Sequence, residues 1–127
     1  MKTIISTPKA PSAIGPYNQG TTFQNLVFTS GQIALDPQTM EVVEGGVQEQ
    51  TRQVMENLKD VLEEANSSYE NVLKTTCYLS DMDNFAAFNE IYSEYFKVET
   101  APARSTVAVK TLPKNVLVEV DTIAFKN

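Results

Sequence analysis

Two alternating runs near the end of the chain constrain the fold more than any other feature. Residues 103–109 set Ser105, Val107 and Val109 against Arg104, Thr106 and Ala108. Residues 116–124 alternate too, with Val116, Val118 and Val120 set against Leu117, Glu119 and Asp121. A period of two is that of a half-buried strand. The short joint at Leu112-Pro113 predicts a hairpin whose register brings both valine rows to the core. That pairing puts Arg104 and Glu119 together on the opposite face, close enough to act on one ligand. A plain cross-strand ion pair on a solvated face is the simpler account of the two residues, because most charges on strands face solvent. The functional reading rests on where Arg104 stands: just after a proline, entering a strand of small and apolar residues. There its planar fork of donors suits two-point contact with a carboxylate or phosphate.

The residue inventory removes much chemistry. The chain of 127 residues contains no histidine, one cysteine (Cys77) and a net charge of −6. Without histidine there is no Ser-His-Asp or Cys-His arrangement, and a zinc site of the usual kind lacks its ligands. Acid–base work falls to Glu119, Asp121, Tyr17 and a few others. The ten basic residues are scattered, so a nucleic-acid partner is disfavoured. A lone cysteine fits a reducing, cytoplasmic setting, and Cys77 inside a strand reads as a buried, inert thiol. No apolar run reaches membrane-spanning length, and Met1-Lys-Thr-Ile-Ile has no signal-peptide core. The length predicts one domain spanning 1–127, with a core small enough that oligomerisation would help it.

Along the chain, residues 2–6 predict an edge strand. Residues 7–17, stiffened by three prolines, predict a surface loop that could fix Tyr17 at its end. Leu26–Ser30 is a strand. Ser30-Gly31 follows as a bulge, a turn or a point where ligand meets backbone N–H groups. Residues 36–39 form a turn, Met40–Val43 a short strand, and Gly45-Gly46 a break. A helix runs from about Val47 to Ala65 on Val47, Thr51, Val54, Leu58, Val61, Leu62 and Ala65, with Met55 at the core's edge. Arg52/Glu56 and Lys59/Glu63 support it as pairs four apart. Val72–Leu79 is a strand. A second helix follows residues 80–83 and runs to about Phe96, with Phe85, Phe88, Tyr92, Tyr95 and Phe96 as a core stripe. Asn89 beside that stripe faces either solvent or a specific partner.

The element order fits an α+β domain: one mostly antiparallel sheet with both helices on one face. Leu117, Ile123 and Phe125 make the other face partly apolar, which predicts a subunit interface there.

Taken together, Ala13-Ile-Gly-Pro-Tyr17, Thr29-Ser-Gly-Gln32, Lys74-Thr-Thr76, Phe88-Asn89 with Tyr92, Pro102-Ala-Arg-Ser105, Leu112-Pro113 and Val118-Glu-Val120 resemble the Rid family of enamine/imine deaminases. The match covers nearly the whole chain. It implies a chorismate-mutase-like fold and a homotrimer with sites in the clefts between subunits. It also implies hydrolysis of 2-iminobutanoate and 2-iminopropanoate, released by pyridoxal-phosphate-dependent dehydratases, to 2-oxo acids and ammonia, with no cofactor. By that resemblance Arg104 holds the substrate carboxylate and Glu119 orients or activates water. Tyr17, Ser30, Gly31, Asn89 and Thr106 line the site. Many relatives carry Cys where this chain has Thr106; the change is tolerable if the site uses the backbone there, and not if it uses the thiol. Two other readings stand beside this one: a non-catalytic module that binds small carboxylates, and a ribonuclease or translation inhibitor, an activity also attributed to some family members.

Overall fold

The inward row of one strand, Val118, Val120, Thr122 and Ala124, is buried along its whole length, at 2% exposure or less. In the computed structural model, which describes residues 1–127, this strand is β6 (Val118–Phe125). The others are β1 (Thr3–Ile5), β2 (Gly20–Phe23), β3 (Leu26–Thr29), β4 (Val72–Leu79) and β5 (Ala103–Ala108). They form a single sheet in the order β1-β2-β3-β6-β4-β5. All neighbours are antiparallel except β4 and β5, which are parallel.

The expected hairpin does not form. β5 and β6 run in opposite directions, as a hairpin would, but β4 lies between them. Composition explains the choice. β6 carries an unbroken buried row and takes an interior place with a partner on each side. β5, with its small and polar residues, is exposed along most of its length and forms the edge. The connection passes the end of β4, where Val109 N–H donates to Leu79 O at 2.9 Å and Ser80 N–H to Leu117 O at 3.1 Å. It turns at Pro113–Asn115, with Lys114 and Asn115 both in the left-handed region at φ 55°. The valines of β5 do not join those of β6: Val107 is 45% exposed.

Helix α1 (Val47–Glu64) begins where Gly46 breaks the chain, and Glu49 Oε1 accepts from Gly46 N–H at 2.7 Å. It ends at Asn66, whose φ of 59° supplies the left-handed turn. The predicted stripe is buried except at Val47, which is partly exposed at the helix start, and Met55 belongs in the core rather than at its edge, at 0% exposure. The expected Arg52/Glu56 and Lys59/Glu63 pairs are absent. Arg52 instead reaches across to Glu94 with two donors, each at 3.1 Å, while Glu56 accepts from the Tyr95 hydroxyl. The Arg52–Glu94 pair is exposed and contributes modestly.

Helix α2 (Phe85–Tyr92) stops earlier than the aromatic stripe predicts. The Ser93 hydroxyl bonds back to Asn89 O, and turns carry the chain on to Phe96. The stripe stays continuous, with Phe88–Tyr92 centroids 5.4 Å apart, Tyr92–Phe96 4.8 Å and Tyr69–Phe96 5.0 Å. Both helices share one core with Val27, Cys77, Leu79, Val118 and Val120 and so lie on one face of the sheet. The predicted strand at Met40–Val43 reduces to one bridge, Leu35 to Val42.

The other face carries no helix. Phe28 lies opposite Ile123 and Leu26 opposite Phe125, and Leu26, Phe28 and Phe125 are 39–40% exposed. No helix is long and apolar enough to cross a membrane.

Candidate functional site

Arg104 lies on the edge strand in register with Thr75 of β4. Thr75 is buried and shares a 2.8 Å hydrogen bond with the Tyr92 hydroxyl, which fixes this as the helix side of the sheet. The guanidinium rests 4.7 Å from the Tyr92 ring centroid and 5.3 Å from that of Phe85. Its Nη1 donates to Asn89 Oδ1 at 2.6 Å. Phe85, Asn89 and Tyr92 stand four and three residues apart on α2, so one helix face supplies both the aromatic platform and the amide. No carboxylate pairs with Arg104; the one ion pair in the chain is Arg52–Glu94. The side chain is exposed and held in place, with donors to spare for an anion.

Thr106, two residues on, points the same way. It lies in register with Cys77, and its hydroxyl oxygen is buried with no hydrogen-bond partner. Burial pushes the Cys77 thiol up to about 11, so Cys77 is inert, as expected.

Four further residues meet elsewhere. Tyr17, Ser30, Gly31 and Glu119 line a cavity of about 430 Å³, together with Pro11 and Pro113 among others. The loop that brings Tyr17 there is wound around Gln19, a buried residue that the sequence did not single out. Gln19 Oε1 accepts from Thr7 N–H at 2.6 Å; its Nε2 lies 3.0, 3.2 and 2.8 Å from the carbonyls of Thr7, Ala10 and Pro11. Ser30 joins the same knot: its N–H donates to Gln19 O and its hydroxyl to Asn18 O. Gln19→Leu removes these partners together. It is expected to lower stability by about 2 kcal/mol, read by chemical denaturation, with faster proteolysis within residues 7–18.

Gly31 is required by proximity. A β-carbon there would stand 2.2 Å from Glu119 Oε2 and 2.9 Å from its Cδ. Glu119 is half-buried, and its pKa is raised first by burial and then by the charge of Asp121. A carboxylate with raised proton affinity beside a cavity is equipped to take a proton from water. Gly31→Ala pushes the flexible end of Glu119 aside without straining the backbone. The displaced carboxylate is expected to enter the cavity, read by a crystal structure of the variant, with little change in melting temperature.

The expectation that Arg104 and Glu119 share a face is overturned. Glu119 lies in register with Tyr78, its neighbours Val118 and Val120 point into the core, and it therefore faces away from the helices. Arg104 faces toward them. Within one chain the two are also two strands apart, roughly 10 Å, and three residues apart along the sheet, roughly another 10 Å. Arg104, Asn89 and Thr106 thus lie together on the helix side of the sheet, and Tyr17, Ser30, Gly31 and Glu119 lie together around a separate cavity.

The family model described as Endoribonuclease L-PSP matches residues 7–126. A RutC family protein of Synechocystis is 56% identical over 122 residues, covering 95% of this chain and 94% of its own. The human protein named 2-iminobutanoate/2-iminopropanoate deaminase is 40% identical over 126 residues, covering 99% of this chain and 91% of its own. A solved Rid family protein of Yersinia pestis superposes with a TM-score of 0.95 at 44% identity, covering 98% and 99% of the two chains. Escherichia coli TdcF with bound serine superposes at 0.91 with 42% identity, again covering 98% and 99%.

Proposed function

We propose that this chain, which belongs to the Rid family, hydrolyses small 2-imino acids to 2-oxo acids and ammonia in sites shared between neighbouring copies of a trimer. The observation that carries this reading is the division of the site. An Arg with unused donors stands on one side of the sheet, and a half-buried carboxylate of raised proton affinity stands on the other. A second copy packed against the exposed apolar face brings its own Arg104 half toward the first copy's Glu119 cavity. Leu26, Phe28, Phe125 and Val107 give that face the apolar area such packing uses.

The substrate has an anionic carboxylate, an electrophilic C2 and a protonated imine nitrogen. Arg104 takes the carboxylate in two-point contact, its direction set by Asn89 and the two rings. Glu119 accepts a proton from a water molecule as the water oxygen bonds to C2 and the C=N π pair moves onto nitrogen. In the resulting carbinolamine, Glu119 returns the proton to nitrogen. The C–N bond then breaks with its electron pair leaving on nitrogen as ammonia, Glu119 takes the hydroxyl proton as the C=O bond of the 2-oxo acid forms, and Glu119 passes that proton to the departing ammonia. The iminium carbon is already reactive, so positioning and a base supply what the step needs.

The bound serine in the E. coli relative favours one second reading, a module that binds small carboxylates without turning them over. An amino-acid oxidase that generates 2-iminopropanoate in the presence of semicarbazide separates the two. The chain is expected to suppress semicarbazone formation. Unchanged trapping across several imino acids, with carboxylate binding retained, would establish the binding module instead.

A further inference from the structure

Asp121 is half-buried two residues after Glu119 on the same strand, so both carboxylates project from the same face of the sheet. Tyr78 of β4 links them. It lies in register with Glu119, and its hydroxyl reaches diagonally to donate to Asp121 Oδ2 at 3.4 Å. Thr76 lies in register with Asp121 itself. We propose that Asp121, anchored by Tyr78, is a positioning residue for the reaction: it stands beside Glu119 on the same face of the sheet, and its charge governs how readily Glu119 exchanges a proton with water. This rests on the imine-hydrolysis reading of the Glu119 site.

The neighbours of each group define the effect. Facing Glu119 are Asp121 on its own strand, Tyr78 on β4 and Tyr17 across the cavity; Ser30 and Gly31 bring no charge. Arg104 of the same chain is on the far side of the sheet; in the shared site proposed above, the neighbouring copy's Arg104 approaches Glu119 and favours its ionised form, opposing Asp121. Asp121 raises Glu119, second to burial. For that effect Asp121 must be ionised while Glu119 titrates. Burial raises Asp121 as well, and it is opposed by the Tyr78 hydroxyl, the Lys74 ammonium and Thr76. The Tyr78 hydroxyl therefore favours the charged form of Asp121 and, through it, the protonated form of Glu119.

The test compares the full-length wild type with Asp121→Asn, Asp121→Glu and Tyr78→Phe. Two readouts are used: the pH profile of kcat/KM for 2-iminopropanoate, and titration of the Glu119 carboxyl by 13C NMR, assigned with Glu119→Gln. In Asp121→Asn the acidic limb moves to lower pH. On that limb the variant retains roughly threefold more of its own plateau rate than wild type. Tyr78→Phe moves the limb the same way by less, and Asp121→Glu restores it. A Glu119 titration that superimposes in wild type, Asp121→Asn and Tyr78→Phe overturns the proposal whatever the activities. A titration that moves in a protein without turnover keeps the coupling and removes the hydrolysis reading. Loss of rate with an unmoved profile assigns Asp121 a purely structural part and also overturns the proposal.

Discussion

Arg104→Lys is expected to lower kcat/KM for imine hydrolysis about 100-fold, nearly as far as Arg104→Ala. A lysine in this place keeps the positive charge, and its ammonium can still stand over the Phe85 and Tyr92 rings. What it loses is the fork. Nη1 is committed to Asn89 at 2.6 Å, and a carboxylate must be met by the guanidinium's remaining donors in a fixed plane. An ammonium presents no such plane and, once bonded to the amide, offers the substrate a single point of contact. The loss should fall on both KM and kcat, because C2 is aligned for water only if the carboxylate is held at both oxygens. Steady-state kinetics on the purified variants decides the matter; a Lys variant within threefold of wild type would mean that charge alone is recognised.

Glu119→Gln is expected to lower kcat about 100- to 10,000-fold while leaving binding of an inert 2-oxo acid close to wild type. The amide keeps the size of the side chain and its place against Gly31 but cannot accept the proton. The wild-type rate should fall as pH drops through the raised pKa of Glu119, and the Gln variant should lack that limb. Linkage separates this result from misfolding. Because burial raises the folded-state pKa of Glu119, the unfolded chain gives up its proton at lower pH than the folded one does. The protonated group therefore favours the fold at low pH. That advantage is lost as pH rises from the unfolded pKa through the folded one. At neutral pH the ionised carboxylate opposes folding, so Glu119→Gln should melt no lower than wild type.

The strands and helices were largely legible because their periods report which residues are buried. Val72–Leu79 is the strand that its alternation and its Thr and Tyr residues predict, and α1 differs from its expected end by one residue. Periodicity does not name a strand's neighbour. Residues 103–108 and 118–125 adjoin in sequence and run antiparallel, yet β4 separates them, because the choice of partner depends on burial summed over the whole sheet. That insertion reversed the side to which Arg104 was assigned. The candidate site residues were picked out as types in motifs; that they lie in two separate places was not legible, since each grouping depends on a contact between distant segments. Asn89 had a readable signal: Phe85, Asn89 and Tyr92 share one helical face, and an amide between two aromatics there is placed to receive a cation. Gln19 had none, since its four backbone partners follow from the path of the loop.

The division of the site between copies is tested most directly by mixing variants. Arg104→Ala and Glu119→Gln chains, each inactive alone, are unfolded together at equal concentration, refolded, and assayed for imine hydrolysis after native mass spectrometry confirms mixed assemblies. If each site takes Arg104 from one copy and Glu119 from its neighbour, random mixing rebuilds about a quarter of the sites, and about a quarter of the wild-type rate returns. If mixed assemblies form and the rate stays at the level of the separate variants, both residues act within one chain, and the shared site is contradicted.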